Sequence, residues 1–505
     1  MPETKVPMPA RSPETSRYTE TERKFDVVDS AVSPSFEGLT AVSRVERSAS
    51  QSLDAVYYDT SDHDLARHRI TLRRRTGGTD AGWHLKLPAG PDSRTEVRAP
   101  LEDGSPAHPQ VPDTLRDVVL AIVRERGLAP VARISTARSV VMLYGADGSA
   151  VAEFCDDQVT ASAVGGDEQQ WREWELELAE GADRDLLKPL TRRLIDAGAR
   201  PAGHGSKLAR VLGSEDDGDE SSAALSDPVH RAVAEQVAQL IEWDRAVRSD
   251  VYDSVHQMRV TTRKIRSLLQ SSEGAFGISD DHWVLAELRE LAGVLGIARD
   301  AEVLAERYER ALDGLPDAVV RGPVRERLVE GAKKRYQTGW KRSLTAMRSP
   351  RYFRLLDALE ELVTAEPPPP APGEERADVT IDSAYKRVRK AAKKARIAAD
   401  EQDEHVDEAL HRIRKRAKQL RYTAAATGQG KVADRAKSIQ SLLGDHQDSV
   451  VSRSHLSRQA ELAHAAGEDT FTYGLLYQQE HDLAVRCEEQ VEDALKELEK
   501  AVRKA

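Results

Sequence analysis

The chain has few cysteines, few aromatic residues and no long apolar run. Its 505 residues include only Cys155 and Cys487, too few for a disulfide framework or a cysteine-based zinc site, and this scarcity is typical of a reducing compartment. No stretch of about 18 uninterrupted apolar residues is present, and no apolar core follows a basic start at the N-terminus. We therefore predict a cytoplasmic location and no membrane partner.

Two breaks in composition divide the chain. Residues 213–227 are acidic and serine-rich, which predicts a solvated linker, and residues 366–377 contain a four-proline run that favours an extended spacer. Residues 1–16 are predicted to be a disordered tail. Domains usually have about 100–200 residues, so 505 residues leave room for several folded units. The net charge of −11 conceals dense local runs of basic residues.

The blocks between these breaks differ in apolar periodicity. Block 17–212 alternates apolar and polar residues between turn signals, which predicts β-strands, with helical insertions near 112–127 and 183–198. Blocks 228–365 and 378–505 are rich in Ala, Leu, Glu, Lys and Arg at helical spacing. We expect an α+β multidomain protein, with a β-rich first block and two all-α blocks.

Charged residues occupy every second position of five predicted strands. The sets are Glu20, Glu22 and Lys24; Arg73 and Arg75; His84 and Lys86; Arg94, Glu96 and Arg98; and Glu173, Glu175 and Glu177. Alternate residues share one face of a strand. One such strand is ordinarily a solvated sheet edge or face, but five strands that mix carboxylates with cations favour a closed barrel of about eight strands with a charged lumen. Carboxylates suit Mg²⁺ or Mn²⁺ and the cations suit phosphate oxygens, so the pattern fits a metal–triphosphate.

This ordered set resembles the CYTH domain, the family of triphosphate tunnel metalloenzymes. The motifs that follow the family's order are E-x-E-x-K at Glu20 to Lys24, YYDT at Tyr57 to Thr60, L-R-x-R at Leu72 to Arg75, L-K-L-P at Leu85 to Pro88, R-x-E at Arg94 to Glu96, E-x-E-x-E at Glu173 to Glu177, and Ser206-Lys207. The resemblance implies an eight-stranded antiparallel tunnel barrel over 17–212. It also implies Mg²⁺ or Mn²⁺ as cofactor and hydrolysis of inorganic triphosphate or another triphosphate.

The resemblance further implies roles for individual residues. The implied metal ligands are Glu20, Glu22, Asp157, Glu173, Glu175 and Glu177, with the register among the last three left open. The implied triphosphate-binding residues are Lys24, Arg73, Arg75, Lys86, Arg94, Arg133, Arg138 and Lys207, with the choice between Arg133 and Arg138 left open. The implied catalytic residues are Glu20, Glu22, Lys24 and Glu96. Phosphoryl transfer requires positioning and charge neutralisation more than a nucleophilic side chain.

The two helical blocks repeat one motif. His256 and His411 are each followed by basic residues at offsets of +3, +7 and +10, which places each set on one helix face. These residues are Arg259, Arg263 and Arg266 in the first copy, and Arg414, Lys418 and Arg421 in the second. A downstream Leu-Gly element also repeats, with Gly296 four residues before Asp300 and Gly444 four residues before Asp448. The similarity indicates an internal duplication.

The duplicated motif resembles the CHAD domain over about 228–500. This resemblance implies two pseudo-symmetric four-helix bundles, one in each helical block, whose basic faces bind inorganic polyphosphate. The implied ligand-binding residues are His256, Arg259, Arg263, Lys264, Arg266, Arg299, His411, Arg414, Lys415, Lys418 and Arg421. Gln447 occupies the position equivalent to Arg299. A packing or capping role for the two histidines stays equally open.

Other functions compete with this interpretation. Nucleic acid is an alternative anion for the helical half, but the basic stripes offer few aromatic residues for base stacking, so we prefer a bare phosphate polymer. For the barrel, a non-catalytic polyphosphate-binding scaffold competes with a triphosphatase-like phosphohydrolase acting on acid anhydrides. Within the enzyme class, thiamine triphosphatase and class IV adenylate cyclase remain possible.

Overall fold

The structure is a computed structural model that describes residues 16–90, 92–101, 109–213, 228–271, 276, 282–364, 381–401 and 406–505. Nearly all of the predicted tail and acidic linker, and the whole proline-rich spacer, lie outside these residues. The chain forms two compact units. The first comprises Met1–Ser254 and Met347–Val363, and the second comprises Val255–Ala346 and Thr364–Ala505.

A ten-stranded antiparallel sheet is the main element of the first unit. Its strands are β1 (Ser16–Val27), β2 (Arg44–Arg47), β3 (Gln51–Asp59), β4 (Thr71–Thr76), β5 (Gly82–Gly90), β6 (Ser93–Ala99), β7 (Ala129–Tyr144), β8 (Ala150–Ala163), β9 (Glu168–Leu178) and β10 (Arg200–Pro201). Eight strands follow the order β1-β6-β5-β4-β3-β7-β8-β9, and β9 pairs back with β1. The predicted closed, eight-stranded antiparallel barrel is therefore confirmed.

The strand register places the alternating charges on the inner face of the barrel. Where β1 closes against β9, Glu22 lies opposite Glu177 and Lys24 lies opposite Glu175. Phe25, the next residue of β1, points outward into a buried apolar cluster. Since neighbouring residues of a strand point to opposite faces, the period of two in the sequence separates a charged lumen from an apolar outer layer.

Helices cover part of the outer surface of the barrel. They are α1 (Asp64–Arg67), α2 (Asp113–Val118), α3 (Leu120–Val123), α4 (Leu187–Asp196) and α5 (Lys207–Leu212). On α4, Leu187, Leu190 and Leu194 recur at helical spacing and pack on the apolar outer layer. The helical insertions expected near 112–127 and 183–198 correspond to α2 with α3, and to α4.

The rest of the described chain is helical. The helices are α6 (Pro228–Arg248), α7 (Ser254–Ser271), α8 (Trp283–Asp313), α9 (Gly331–Met347), α10 (Pro350–Thr364), α11 (Ile381–Asp400), α12 (Val406–Ala426), α13 (Gly430–Ala465) and α14 (Phe471–Val502). The predicted all-α region is confirmed. None of the helices in the described part of the chain combines the length and apolar character that a membrane crossing requires.

Two of these helices, α6 and α10, belong to the first compact unit. Buried Asp244 on α6 accepts hydrogen bonds from Arg248 Nε at 2.6 Å and from the Tyr352 hydroxyl of α10 at 2.9 Å. Arg124, directly after α3, donates to Glu360 of α10 at 2.6 Å. Through these contacts, the first helix of the helical region and α10 are held to the helices of the barrel domain.

Candidate functional site

A cavity of about 590 Å³ lies inside the barrel. Charged side chains dominate its lining. The acidic ones are Glu20, Glu22, Asp80, Glu96, Glu153, Glu175, Glu177 and Glu180, and the basic ones are Lys24, Arg73, Arg75, Lys86, Arg94, Arg98, Arg138 and Lys207. Eight carboxylates and eight cations give the lining a formal charge of zero. The lumen therefore suits a ligand assembly that itself carries both signs of charge.

One group of carboxylates sits beside the β1–β9 seam. Glu20, Glu22 and Glu177 have oxygens within 4.8 Å of one another. Lys86 pairs with Glu20, and Lys24 pairs with Glu22. Burial opposes ionisation of Glu22, but Lys24 and Lys86 outweigh it and lower its pKa to about 2. Burial and the charge of Glu20 raise the pKa of Glu177 to about 7.

A second group of carboxylates surrounds Lys207. Its Nζ lies 2.9 Å from Asp157, 2.6 Å from Glu173 and 2.8 Å from Glu175. Arg138 donates two hydrogen bonds to the fully buried Asp157, at 2.8 and 2.6 Å, and also contacts Glu175. Burial alone would raise the pKa of Glu175, but Lys207 and Arg138 hold it well below its usual value. Lys207 and Arg138 therefore hold Glu175 in its ionised form.

The cationic wall of the lumen contains unused hydrogen-bond donors. The Nε atoms of Arg73 and Arg75 are buried and have no hydrogen-bond partner among the residues that the structure describes. Arg73 donates from Nη1 to the Tyr57 hydroxyl at 3.3 Å, and Arg75 pairs with Asp80. Burial and the charges of Arg73 and Arg138 lower the pKa of Arg75 to about 9. An anion in the lumen would satisfy these donors and relieve the repulsion between the guanidinium groups.

The two basic stripes of the helical region meet within the second unit. Helix α7 carries the first stripe and α12 carries the second. Burial and the charges of Arg263, Arg414, Arg421 and Arg259 lower the pKa of Lys418 to about 7. The charges that act on Lys418 among the described residues are all positive. The side chains of the two sequence copies therefore build one cationic surface rather than two separate ones.

The duplicated glycines explain how one arginine of each stripe is held. Arg259 Nε donates to the Ala292 carbonyl and Arg414 Nε donates to the Gln440 carbonyl, both at 3.3 Å. Each accepting carbonyl lies four residues before its glycine. A Cβ at Gly296 would lie 3.4 Å from the Arg259 guanidinium, and one at Gly444 would lie 3.3 Å from that of Arg414. The missing side chains leave room for the guanidinium groups.

The remaining predicted residues of the stripes have varied contacts. Arg421 donates to the Gln440 side chain at 3.0 Å, and the buried Nε of Arg266 has no hydrogen-bond partner in the described segments. Burial, Lys415 and Arg414 lower the pKa of His411, which favours its neutral form. Arg299 on α8 pairs with Glu302 at 2.8 Å. His256 and Lys264 lie on α7.

Family models match both halves of the chain. A CYTH domain model matches residues 19–198, and a CHAD domain model matches residues 231–457. The chain belongs to the CYTH–CHAD family. It is 64% identical over 515 aligned positions to the uncharacterized protein MT2285 of Mycobacterium tuberculosis (strain CDC 1551 / Oshkosh), covering 99% of this chain and 100% of that one. The uncharacterized protein Rv2226 of Mycobacterium tuberculosis (strain ATCC 25618 / H37Rv) matches to the same extent.

Solved structures resemble parts of this CYTH–CHAD protein. PptA from Streptomyces chartreusis is 19% identical with a TM-score of 0.44, over 53% of this chain and 98% of that chain. The CHAD domain from the plant Ricinus communis is 20% identical with a TM-score of 0.41, over 54% of this chain and 90% of that chain.

The carboxylates of the CYTH lumen fit a hard divalent cation. Both groups offer only oxygen donors, which Mg²⁺ and Mn²⁺ prefer. Glu177 forms no ion pair within the described ranges, and its charge is opposed by Glu20 and Glu22. A cation beside these three carboxylates would remove that repulsion. The group at Glu20, Glu22 and Glu177 is therefore the better candidate, because Lys207 contacts every carboxylate of the other group, whereas no described cation pairs with Glu177.

Glu96 has protein partners that the sequence-based site did not include. Its carboxylate accepts hydrogen bonds from Tyr18 and Arg98, and it lies 2.9 Å from His84 Nδ1. Burial and the charge of Glu177 raise the pKa of Glu96 to about 8, while burial and nearby cations lower that of His84 to about 2. His84 lies two residues from Lys86, and Arg98 lies two residues from Glu96, so each shares a strand face with a predicted site residue. The alternation of charged residues in the sequence could have identified both.

Arg133 is the one predicted triphosphate-binding residue that the structure places away from the CYTH lumen. Arg138 faces the lumen, and Arg133 lies an odd number of residues before it on β7, so it points outward. There it lines a second cavity together with Arg74. Between the two alternatives left open by the sequence, Arg138 is the residue that joins the other predicted side chains.

Proposed function

We propose that the CYTH domain is a metal-dependent phosphohydrolase that cleaves the acid anhydride bond of a triphosphate, with inorganic triphosphate as the preferred substrate. The supporting observation is one lumen that combines oxygen-only carboxylate groups with buried arginine donors that have no hydrogen-bond partner among the described residues. A receptor for a bare anion would gain little from eight carboxylates, whereas a metal–triphosphate needs both sets of groups.

The basic and acidic residues of the CYTH lumen have different proposed roles. Arg73 and Arg75 bind phosphate oxygens through their planar groups, and Lys24, Lys86 and Arg138 add positive charge around the chain. Glu20, Glu22 and Glu177 would hold Mg²⁺ or Mn²⁺. When bound, such a cation neutralises phosphate charge and lowers the pKa of water. Tyr18, His84 and Arg98 orient Glu96 at the lumen wall, which makes them positioning residues.

The lumen favours an inorganic substrate over an organic one. Tyr18 and Tyr57 are the only aromatic residues among its lining side chains in the described structure. Tyr57 accepts a hydrogen bond from Arg73, and Tyr18 donates one to Glu96. The Arg98 guanidinium lies over the Tyr18 ring, 4.4 Å from its centroid, and Tyr57 is buried, so neither ring offers a free face to an adenine or thiamine ring. We therefore place thiamine triphosphatase and cyclase activities second.

For the CHAD domain we propose binding of inorganic polyphosphate. The two stripes converge, and Arg263 and Lys418 have no carboxylate partner within the described part of the chain. Such a surface fits an unbranched polyanion, while nucleic-acid binders usually add aromatic stacking. The CHAD domain would hold polyphosphate near the CYTH domain and raise its local concentration by tethering. We propose that the protein works in the cytoplasm.

Phosphate release from tripolyphosphate tests the enzymatic proposal. The full-length protein should release phosphate with Mg²⁺ or Mn²⁺ and not with EDTA, and ATP and thiamine triphosphate should be poorer substrates. Arg73→Gln should reduce the release, whereas Arg192→Gln, which removes the same charge from the exposed face of α4, should not. Retained binding without release from any triphosphate would show a scaffold instead of an enzyme.

A further inference from the structure

A second cavity, of about 640 Å³, lies on the outer face of the barrel. Strands β3, β4 and β7 form its floor, and α2 with its flanking segments forms its walls. Its lining includes Val56, Tyr58, Arg74, Asp113, Arg116 and Arg133. Because neighbouring residues of a strand point to opposite faces, the barrel wall separates this cavity from the lumen.

The strand register brings two of its arginines together. Val56 of β3 pairs with Arg74 of β4 on one side and with Arg133 of β7 on the other. Directly paired residues on adjacent strands have Cβ atoms about 5 Å apart. Arg74 and Arg133 therefore flank one valine on the same outward face. Arg116 of α2 joins them from the wall of the cavity.

The charge of this cavity is not balanced. Its lining contains three arginines and one acidic residue, Asp113, which gives a formal excess of two positive charges. The buried Nε of Arg116 has no hydrogen-bond partner among the described residues, and neither Arg116 nor Arg133 forms an ion pair there. In the lumen, by contrast, cations and carboxylates are equal in number. Cations that outnumber nearby carboxylates repel one another, and an anion placed between them reduces this repulsion.

The cavity also has an apolar side. Val56, Val111, Leu128 and Pro130 contribute to it, and the ring of Tyr58 packs against Trp83 with centroids 5.0 Å apart. Burial raises the pKa of the Tyr58 phenol despite the charges of Arg74 and Arg133, so its hydroxyl stays a neutral donor. A ligand with one strongly anionic end and one apolar or ring-shaped end matches both sides of the cavity.

We propose that this outer cavity is a second anion site, which binds a phosphate monoester carried on an apolar or ring-shaped body. Arg74, Arg116 and Arg133 bind the phosphate, and the apolar wall with Tyr58 contacts the body. Three guanidinium groups that line one cavity favour a phosphate, since each can donate two parallel hydrogen bonds to its oxygens. The site does not depend on whether the lumen is catalytic.

Binding of adenosine monophosphate and of orthophosphate to the full-length protein tests this proposal. Titration calorimetry should show binding of both, with adenosine monophosphate at least about tenfold tighter because only it reaches the apolar wall. Arg116→Gln and Arg133→Gln should each lower the affinity for adenosine monophosphate by about tenfold or more. Arg133 is exposed, so its variant should fold normally, which the thermal unfolding midpoint checks.

Two control variants locate the binding. Arg192→Gln removes one positive charge from α4, outside the cavity, and should leave the affinity unchanged. Arg73→Gln alters the lumen and should also leave the affinity for adenosine monophosphate unchanged. Loss of binding in Arg73→Gln but not in Arg116→Gln would place the ligand in the lumen and overturn the proposal. Equal affinities for orthophosphate and adenosine monophosphate would overturn the assignment of an organic ligand.

Discussion

The CYTH lumen and the CHAD stripes are both rich in cations, yet they differ in what accompanies those cations. In the lumen nearly every cation contacts a carboxylate, as Lys207 contacts three of them. On the stripes Lys418 is surrounded by other cations. The positive charge of the lumen is thus balanced by its own carboxylates, whereas the positive charge around Lys418 is not balanced by neighbouring carboxylates. This difference supports the two proposals, a metal–triphosphate in the lumen and inorganic polyphosphate on the stripes.

The largest expected effect follows from removing a carboxylate of the lumen. Glu22→Gln should lower metal-dependent phosphate release from tripolyphosphate by about 10²- to 10³-fold, because one ligand of the proposed cation is lost. Steady-state phosphate release at saturating Mg²⁺ measures this. Glu46→Gln, a matched change at an exposed site, should have no effect. Near wild-type turnover in Glu22→Gln would contradict the proposal that the lumen, unlike the stripes, uses its carboxylates to hold a metal ion.

A smaller effect should follow from removing one cation of a stripe. Arg263→Gln and Arg414→Gln should each weaken polyphosphate binding by about tenfold and lower the slope of log affinity against log salt by about one. Affinity measured over a series of salt concentrations tests both expectations. Arg416→Gln is the matched control, since Arg416 is exposed on α12 and bonds to Gln419. Unchanged affinity in both stripe variants would contradict the proposed surface.

The low pKa of Lys418 predicts a pH dependence. Between about pH 7 and its ordinary value of 10.5, Lys418 is neutral in the folded protein and charged in the unfolded chain. The unfolded state then binds more protons, so this lysine lowers the free energy of unfolding as pH falls from 10.5 towards 7. Lys418→Met should therefore be more stable than wild type at pH 7, with a smaller difference near pH 10.5. Denaturant unfolding at both pH values checks the sign.

Polyphosphate should reverse this penalty by raising the pKa of Lys418. Binding near pH 7 should then take up a proton, which calorimetry in buffers of different ionisation enthalpy detects. Lys418→Met should lack that uptake. Proton uptake that persists in the variant would assign it to another group, such as His411, whose pKa is also lowered by burial and neighbouring cations.

The smallest expected effect concerns Arg299. Glu302 pairs with it at 2.8 Å and competes with any anion for its guanidinium. Pairs of this kind contribute only about 0.2–1 kcal/mol, so Glu302→Gln should strengthen polyphosphate binding by about twofold. A competition assay against wild type resolves this difference. A weaker affinity in the variant would show that Glu302 positions Arg299 for the ligand.

The sequence predicted the barrel and the stripes because each depends on a fixed period. Alternation by two marks the lumen-facing residues of a strand, as in Glu20 and Glu22, and offsets of three and seven mark one face of a helix. The choice between Arg133 and Arg138 could not be made that way. Both lie on the 16-residue strand β7. Their odd spacing puts them on opposite faces of the strand, but the sequence does not say which face is inward.

Contacts between distant parts of the chain were also beyond prediction. Arg124 and Glu360 are 236 residues apart, and no local pattern connects them. The grouping of α6 and α10 with the barrel domain depends on such contacts. The outer cavity likewise combines β3, β4, β7 and α2, so only the folded chain shows that its three arginines line one cavity.

Gly296 and Gly444 matter to anyone who tries to make this protein more heat-resistant. Both lie inside long helices, where alanine is favoured over glycine by about 1 kcal/mol, so they are obvious targets for stabilising substitutions. An added methyl group would press on Arg259 or Arg414 at 3.3–3.4 Å. The alanine variant would have a more stable helix but a displaced guanidinium. Variants selected only for thermal stability are therefore expected to lose affinity for the proposed polyanion.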